Sequence, residues 1–279
     1  MSTSHQDLIL TRSENHVTTL TMNMPKRLNG WTMEMLEALR AAMERAAADS
    51  ETRVLILTGT DPYYCAGVNL GTVVKPQHPQ ALHEMIVRLN QRLFDLFLDF
   101  PKPILVAVNG PAIGASVTSA TLCDAIIASE NATFSTPFVA LGVPPEGCSS
   151  VFFPRLLGEE NARRMLGKEG WKPTGAEAQA IGLVDRVVPR ESLMEEATKV
   201  AEAWVAEGRE RTFRAGATRD ELKAVNARES VKVADAFLGQ PFLIGQFHFL
   251  RKKKKYLPAA MFLVLSLTRP AWSLLLKSS

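Results

Sequence analysis

Pro103-Ile104-Leu105-Val106-Ala107-Val108-Asn109-Gly110-Pro111-Ala112-Ile113-Gly114-Ala115-Ser116 carries the strongest indication of the fold. The unbroken apolar run Ile104–Val108 is what a strand covered on both faces requires, as in sheets sandwiched by helices. Asn109-Gly110-Pro111 closes the strand, and small residues over 114–122 continue as a helix. N–H groups at such a helix start are unpaired, and the helix dipole favours negative charge there.

A second segment has the same design. The strand Arg53–Thr58 runs into Gly59-Thr60-Asp61-Pro62-Tyr63-Tyr64-Cys65-Ala66-Gly67-Val68-Asn69-Leu70. Small side chains let a ligand approach the backbone closely. Two such turns can converge on one oxygen and form an oxyanion hole; each alone also reads as an ordinary tight turn. Neither carries the glycine and lysine pattern of a P-loop or a dinucleotide fingerprint.

Working outward, Val17–Met22 alternates apolar and hydroxyl side chains and predicts a half-buried strand. Thr32 caps a predicted helix over 33–48, with Met35, Leu36, Leu39, Met43 and Ala46 on one face. Residues 80–100 predict a helix ended by Pro101 and Pro103, with Leu82, Met85, Ile86, Leu89, Leu93, Phe94 and Phe97 inward. A strand follows at Ala125–Ala128 and a short one near Thr133-Phe134. Helices are expected over 151–167 and 175–181, a last strand over 182–188, an amphipathic helix over 191–207, and helical structure over 218–256 with breaks at 239–241. Strands paired with helices and followed by helices alone give an α/β fold with a helical appendage.

The 279 residues suit one large domain or a domain plus an appendage. A net charge of +3 is too small to argue for nucleic acid, and no nucleic-acid partner is expected. Cys65, Cys123 and Cys148 form no spacing motif, and the odd count gives no disulfide framework. The five histidines are scattered, so no metal site is expected.

Glu146 stands out in Leu141-Gly142-Val143-Pro144-Pro145-Glu146-Gly147-Cys148-Ser149-Ser150, a solitary carboxylate among apolar and small residues. Desolvation would raise its pKa and make it a better proton acceptor. An exposed turn after the two prolines would leave it ordinary.

Cys65-Ala66-Gly67-Val68-Asn69-Leu70 resembles the first oxyanion motif of the crotonase (enoyl-CoA hydratase/isomerase) superfamily, and Pro103–Gly114 resembles the second. Phe134–Gly147, Phe153-Pro154-Arg155-Leu156 and Gly182–Pro189 continue the likeness, which spans residues 7–256. It implies an α/β ββα-spiral core with a C-terminal helical trimerisation region, divided as 1–200, 201–256 and a hydrophobic tail over 257–279. It also implies an acyl-CoA thioester substrate, a homotrimer or dimer of trimers, and no cofactor beyond the CoA of the substrate. The oxyanion donors it implies are the N–H groups of Ala66 and Ala115. Substrate contacts would come from Ala66, Gly67, Val68, Asn69, Leu70, Gly114 and Phe138.

Hydratases of this superfamily use two glutamates; at the matching positions this chain has Thr118 and Phe138. Neither side chain is a general base, so hydration is disfavoured. Pro145-Glu146-Gly147-Cys148-Ser149-Ser150 is similar to the peroxisomal type of Δ3,Δ2-enoyl-CoA isomerase, in which the glutamate is the base. The resemblance therefore implies an isomerase with Glu146 as catalytic residue and Phe138 lining a dry acyl pocket. The alternatives are a hydratase or other CoA-ester enzyme of this fold, and a non-catalytic acyl-CoA-binding module. It also implies a peroxisome-like organelle or a mitochondrion, although no targeting signal is recognisable and a cytoplasmic site stays open.

Cys148 and Cys65 read as packing residues, and Asp124 and Asp185 as structural caps or surface pairs. The cluster Arg251–Lys255 precedes Leu257–Leu267, an almost wholly apolar run interrupted after it by Arg269 and Pro270. That tail is a candidate for membrane contact, for packing against the assembly, or for disorder.

Overall fold

The computed structural model describes residues 8–68 and 78–276. Six strands form its main sheet: β1 (Ile9–Glu14), β2 (Val17–Met22), β3 (Val54–Gly59), β4 (Ile104–Val108), β6 (Ala125–Ser129) and β8 (Arg186–Val188). They lie side by side in that order. Only β1 runs antiparallel to its neighbour; the other pairs are parallel. A second, two-stranded sheet pairs β5 (Ala112–Ile113) with β7 (Phe134–Ser135).

β1 has no counterpart among the sequence expectations. Its first residue alone is buried, because the strand lies at the sheet edge and shows water most of its length. Such a strand has no alternating apolar pattern to betray it. By contrast β3 and β4 are buried throughout, as their continuous apolar runs require.

The two faces of the sheet are covered differently. Val54, Ile56, Leu105 and Ala107 meet Leu193, Ala197, Ala201 and Trp204 of a helix over Leu193–Ala206. Leu55, Leu57, Val106 and Val108 point the other way into the main core. Helix α1 (Met33–Ala48) buries Met35, Ala38, Leu39, Ala42, Met43 and Ala46 there, and Thr32 caps it by accepting the Met35 N–H. Helix α2 (Pro79–Leu98) starts on its proline and buries Leu93, Phe94 and Phe97 in the same core.

Short helices α3 (Ala115–Thr121) and α4 (Phe138–Leu141) follow β5 and β7. The single helix expected over 151–167 is two, α5 (Ser149–Leu157) and α6 (Glu159–Leu166). Gly158 at φ 82° and ψ 153° breaks the helical hydrogen bonding between them. The strand expected over 182–188 is confined to β8, since Leu183 and Val184 are buried in the turn that precedes it. In chain order, α7 (Gly175–Ala180) precedes β8, and α8 is the sheet-covering helix over Leu193–Ala206.

Three long helices end the chain: α9 (Arg219–Phe237), α10 (Gln240–Lys252) and α11 (Tyr256–Trp272). α9 is no detached appendage, for Leu222 and Val225 join the main core. Asp124 and Asp185 act structurally. Asp124 is buried with Arg211 at 2.7 Å and accepts the Ile104 N–H, tying down the start of β4. Asp185 accepts the Ile126 N–H.

Candidate active site

The two turns singled out in the sequence lie side by side. Cys65 bridges Ala112 in parallel register, with Cys65 N–H donating to Pro111 O and Ile113 N–H to Cys65 O at 3.0 Å. Gly67 is essential to this contact: it has φ +79°, and a Cβ there would lie 2.5 Å from the Ile113 carbonyl oxygen. Gly114, at φ +63°, turns the chain into α3.

This packing decides which N–H groups are free. Ala66 N–H donates to Leu28 O at 3.0 Å, so it is already used. Gly114 N–H is likewise spent on Ser135 O. Among the described residues, no acceptor meets the N–H of Val68 or of Ala115, the first residue of α3. The expectation for Ala66 is therefore corrected: the available donor of the first turn is Val68, two residues on. A sequence motif locates the turn, but the Leu28 carbonyl arrives from a segment far away in the chain and cannot be read from it.

Val68 and Glu146 line one cavity of about 730 Å³, walled by Trp31, Leu36 and Met43 on one side and Ile86, Leu89 and Leu93 on another; buried Ala115 is not among its lining residues. That is an ordinary size for a small-molecule site. Glu146 keeps a partial surface because it faces this opening. Protein atoms nevertheless crowd it, and burial pushes its carboxyl up to about 7 against the hydrogen bond from Asn90, with buried Glu229 adding to the rise. Asn90 Nδ2 donates to Glu146 Oε2 at 2.5 Å.

Other carboxylates also line the cavity, but they are engaged. Glu37 and Glu44 pair with Arg40, and Asp99 pairs with Lys223. Asp95, raised by burial, accepts from Asn226 Nδ2 at 3.0 Å.

Two features of the site were invisible in the sequence. Asn90 on α2 reaches Glu146 from a position 56 residues away. Glu229 on α9 accepts the N–H groups of Cys148 at 2.6 Å and Ser150 at 2.9 Å, holding the turn that carries Glu146. Nothing in the local sequence sets Glu229 apart from Asp220, Glu221 and Asp235 on the same helix. Ser230, beside it, faces Asn90 Oδ1 at 2.9 Å and fixes the amide orientation.

Thr118 is buried with its hydroxyl toward the Ala115 carbonyl, and it flanks Gly147. Phe138 is packed in the main core and does not line the cavity, contrary to the expected acyl-pocket role. Its aromatic ring is better buried against core side chains than held at an open wall. Asn69 and Leu70 lie outside the described residues. Cys148 and Cys65 are buried, with burial pushing Cys65 up to about 12. Neither thiol is poised as a nucleophile.

The family model for enoyl-CoA hydratase/isomerase matches residues 12–234. The chain belongs to the enoyl-CoA hydratase/isomerase family. Human enoyl-CoA delta isomerase 2 is 35% identical over 261 residues, covering 91% of this chain and 66% of that protein. Mouse peroxisomal enoyl-CoA delta isomerase 3 is 36% identical over 197 residues, covering 70% of this chain and 60% of its own length. The chain thus spans about two thirds of these relatives. Among solved structures, an enoyl-CoA hydratase/isomerase from Pseudoalteromonas atlantica T6c matches with a TM-score of 0.74 at 28% identity, covering 88% of this chain and 97% of that one. The crotonase fold and a likeness to the isomerases within this family are thereby established, and the family acts on acyl-CoA thioesters.

Proposed function

We propose that this family member is a Δ3,Δ2-enoyl-CoA isomerase. The observation that carries the reading is Glu146, a carboxylate pushed up to about 7 in the same cavity as the free Val68 N–H. Glu146 removes a proton from C2 of a 3-enoyl-CoA. The electron pair moves into a dienolate whose negative charge rests on the thioester oxygen, where the N–H groups of Val68 and Ala115 donate to it. The protonated Glu146 returns the proton at C4, and the double bond settles between C2 and C3. The proton count closes without water or a redox cofactor. Each oxyanion donor is worth about 3 kcal/mol in the transition state. Ketosteroid isomerase moves a double bond by the same plan, with one carboxylate base and an oxyanion site.

Supporting the choice of isomerisation over hydration, Thr118 and Phe138 stand where a hydratase carries its acids, one turned to a backbone carbonyl and the other packed in the core. In this reading the chain serves unsaturated fatty acid β-oxidation as a homotrimer or dimer of trimers, in a peroxisome-like organelle or mitochondrion. The peroxisomal mouse relative supports that compartment. The test is to supply the purified protein with a 3-enoyl-CoA and follow the conjugated thioester. Fast isomerisation with slow hydration of 2-enoyl-CoA supports the reading, and the reverse ratio refutes it.

A further inference from the structure

Helix α11 has two unlike faces. One buries Ala259, Phe262 and Ser266. It is pinned by Gln240 Nε2 donating to Ser266 Oγ at 2.8 Å and by Arg269 Nε donating to Leu238 O at 2.7 Å. The other face presents Leu257, Ala260, Val264, Leu267 and Ala271, all exposed and spaced alternately by three and four, and exposed Leu274 in the 3-10 turn over Ser273–Leu276 continues it. Leu257 is 86% exposed and Leu267 69%. A surface helix in water shows the opposite pattern.

The spacing would also fit a seam between two copies of the chain, but such a seam is flanked by charged side chains. The one charged residue within α11, Arg269, is directed at Leu238 O. The cations are gathered instead at one end, in Arg251-Lys252-Lys253-Lys254-Lys255, every one exposed. A broad apolar face ending in a cationic cluster is complementary to an anionic bilayer surface. Tyr256–Leu276 is also long and apolar enough to cross a membrane by length and composition. Crossing would break the two pinning bonds and bring Arg269 into hydrocarbon, which is costly.

We infer that α11 lies in the plane of an anionic lipid surface, its Leu257–Leu274 face among the acyl chains and Arg251–Lys255 on the headgroups. The apolar cluster beneath it joins Phe262 to Ile86, Val233 and Phe237, which also wall the cavity. Lipid contact of α11 does not depend on the reaction assigned to that cavity.

The test is flotation of the full chain with vesicles of phosphatidylcholine alone or mixed with phosphatidylserine. One variant replaces all five of Arg251–Lys255 by Gln; another combines Leu257→Asn, Val264→Asn and Leu267→Asn. Thermal unfolding verifies that both fold. The expected result is salt-sensitive binding to phosphatidylserine vesicles, weakened on the order of a thousandfold or more in the first variant and lost in the second. Absence of binding to those vesicles, or equal binding to both kinds, overturns the inference. So does a wild-type chain that stays off vesicles but self-associates through a contact the Asn variant abolishes, which would make a second copy the occupant.

Discussion

Asn90 Nδ2 donates to Glu146 Oε2 at 2.5 Å, joining helix α2 to the turn before α5. The bond favours the charged carboxylate, while burial opposes it and prevails. Replacing Asn90 by Ala removes the favourable part. The acidic limb of the kcat/KM profile, expected near pH 7 for the wild-type protein from the raised Glu146 carboxyl, should move to higher pH, and activity at pH 6.5 should fall more than at pH 9. A uniform loss at every pH would mean that Asn90 only shapes the fold.

Burial of Glu146 also has a cost in stability, with a definite sign. Its carboxyl is raised from an ordinary 4.5 to about 7, so the fold binds the proton more tightly than the unfolded chain does. The penalty is absent below about pH 4.5, grows through that window, and is full above about pH 7. Glu146→Gln should therefore be more stable than wild type at pH 8, by up to about 3 kcal/mol, and indistinguishable at pH 4. Urea unfolding at the two pH values measures this difference.

Glu229 supports the turn from behind. Truncation to Ala leaves the N–H groups of Cys148 and Ser150 without their carboxylate. A loss of roughly 2–4 kcal/mol in stability should follow, with kcat falling while KM for the CoA ester stays within a few fold. Glu229→Gln, which keeps one acceptor oxygen, should recover part of kcat. A Glu229→Ala protein with full kcat would deny Glu229 any part in positioning Glu146.

Gly147 is a tight point beside Glu146. It has φ +66°, and a Cβ would sit 2.5 Å from Thr118 Oγ1 and against the ring of Phe94. Gly147→Ala should cost about 2 kcal/mol or more through strain and overpacking. Paired with Thr118→Ala it should regain a portion. Additive losses in the double variant would contradict this contact.

Much of this site was legible because its chemistry is local. The strand at Ile104–Val108, the turns after β3 and β4, and the odd position of Glu146 all rest on runs of neighbouring residues. What escaped depends on distant segments. Leu28 O takes the N–H of Ala66 and shifts the donor role to Val68; Asn90 and Glu229 come from helices remote in the chain. β1 escaped because an exposed edge strand buries too little to leave a pattern. Phe138 misled because an aromatic residue near a site suits a pocket wall and a core equally well, and packing chose the core.

If Glu146 alone carries the proton between C2 and C4, its removal must stop the reaction without emptying the site. The decisive measurement is the turnover of a 3-enoyl-CoA by Glu146→Gln, followed as the conjugated thioester, with binding of a non-reacting acyl-CoA measured alongside. A fall in kcat of at least about 10³ with acyl-CoA affinity preserved is expected. Turnover within tenfold of wild type would contradict the single-base mechanism and move the base to another group in the cavity.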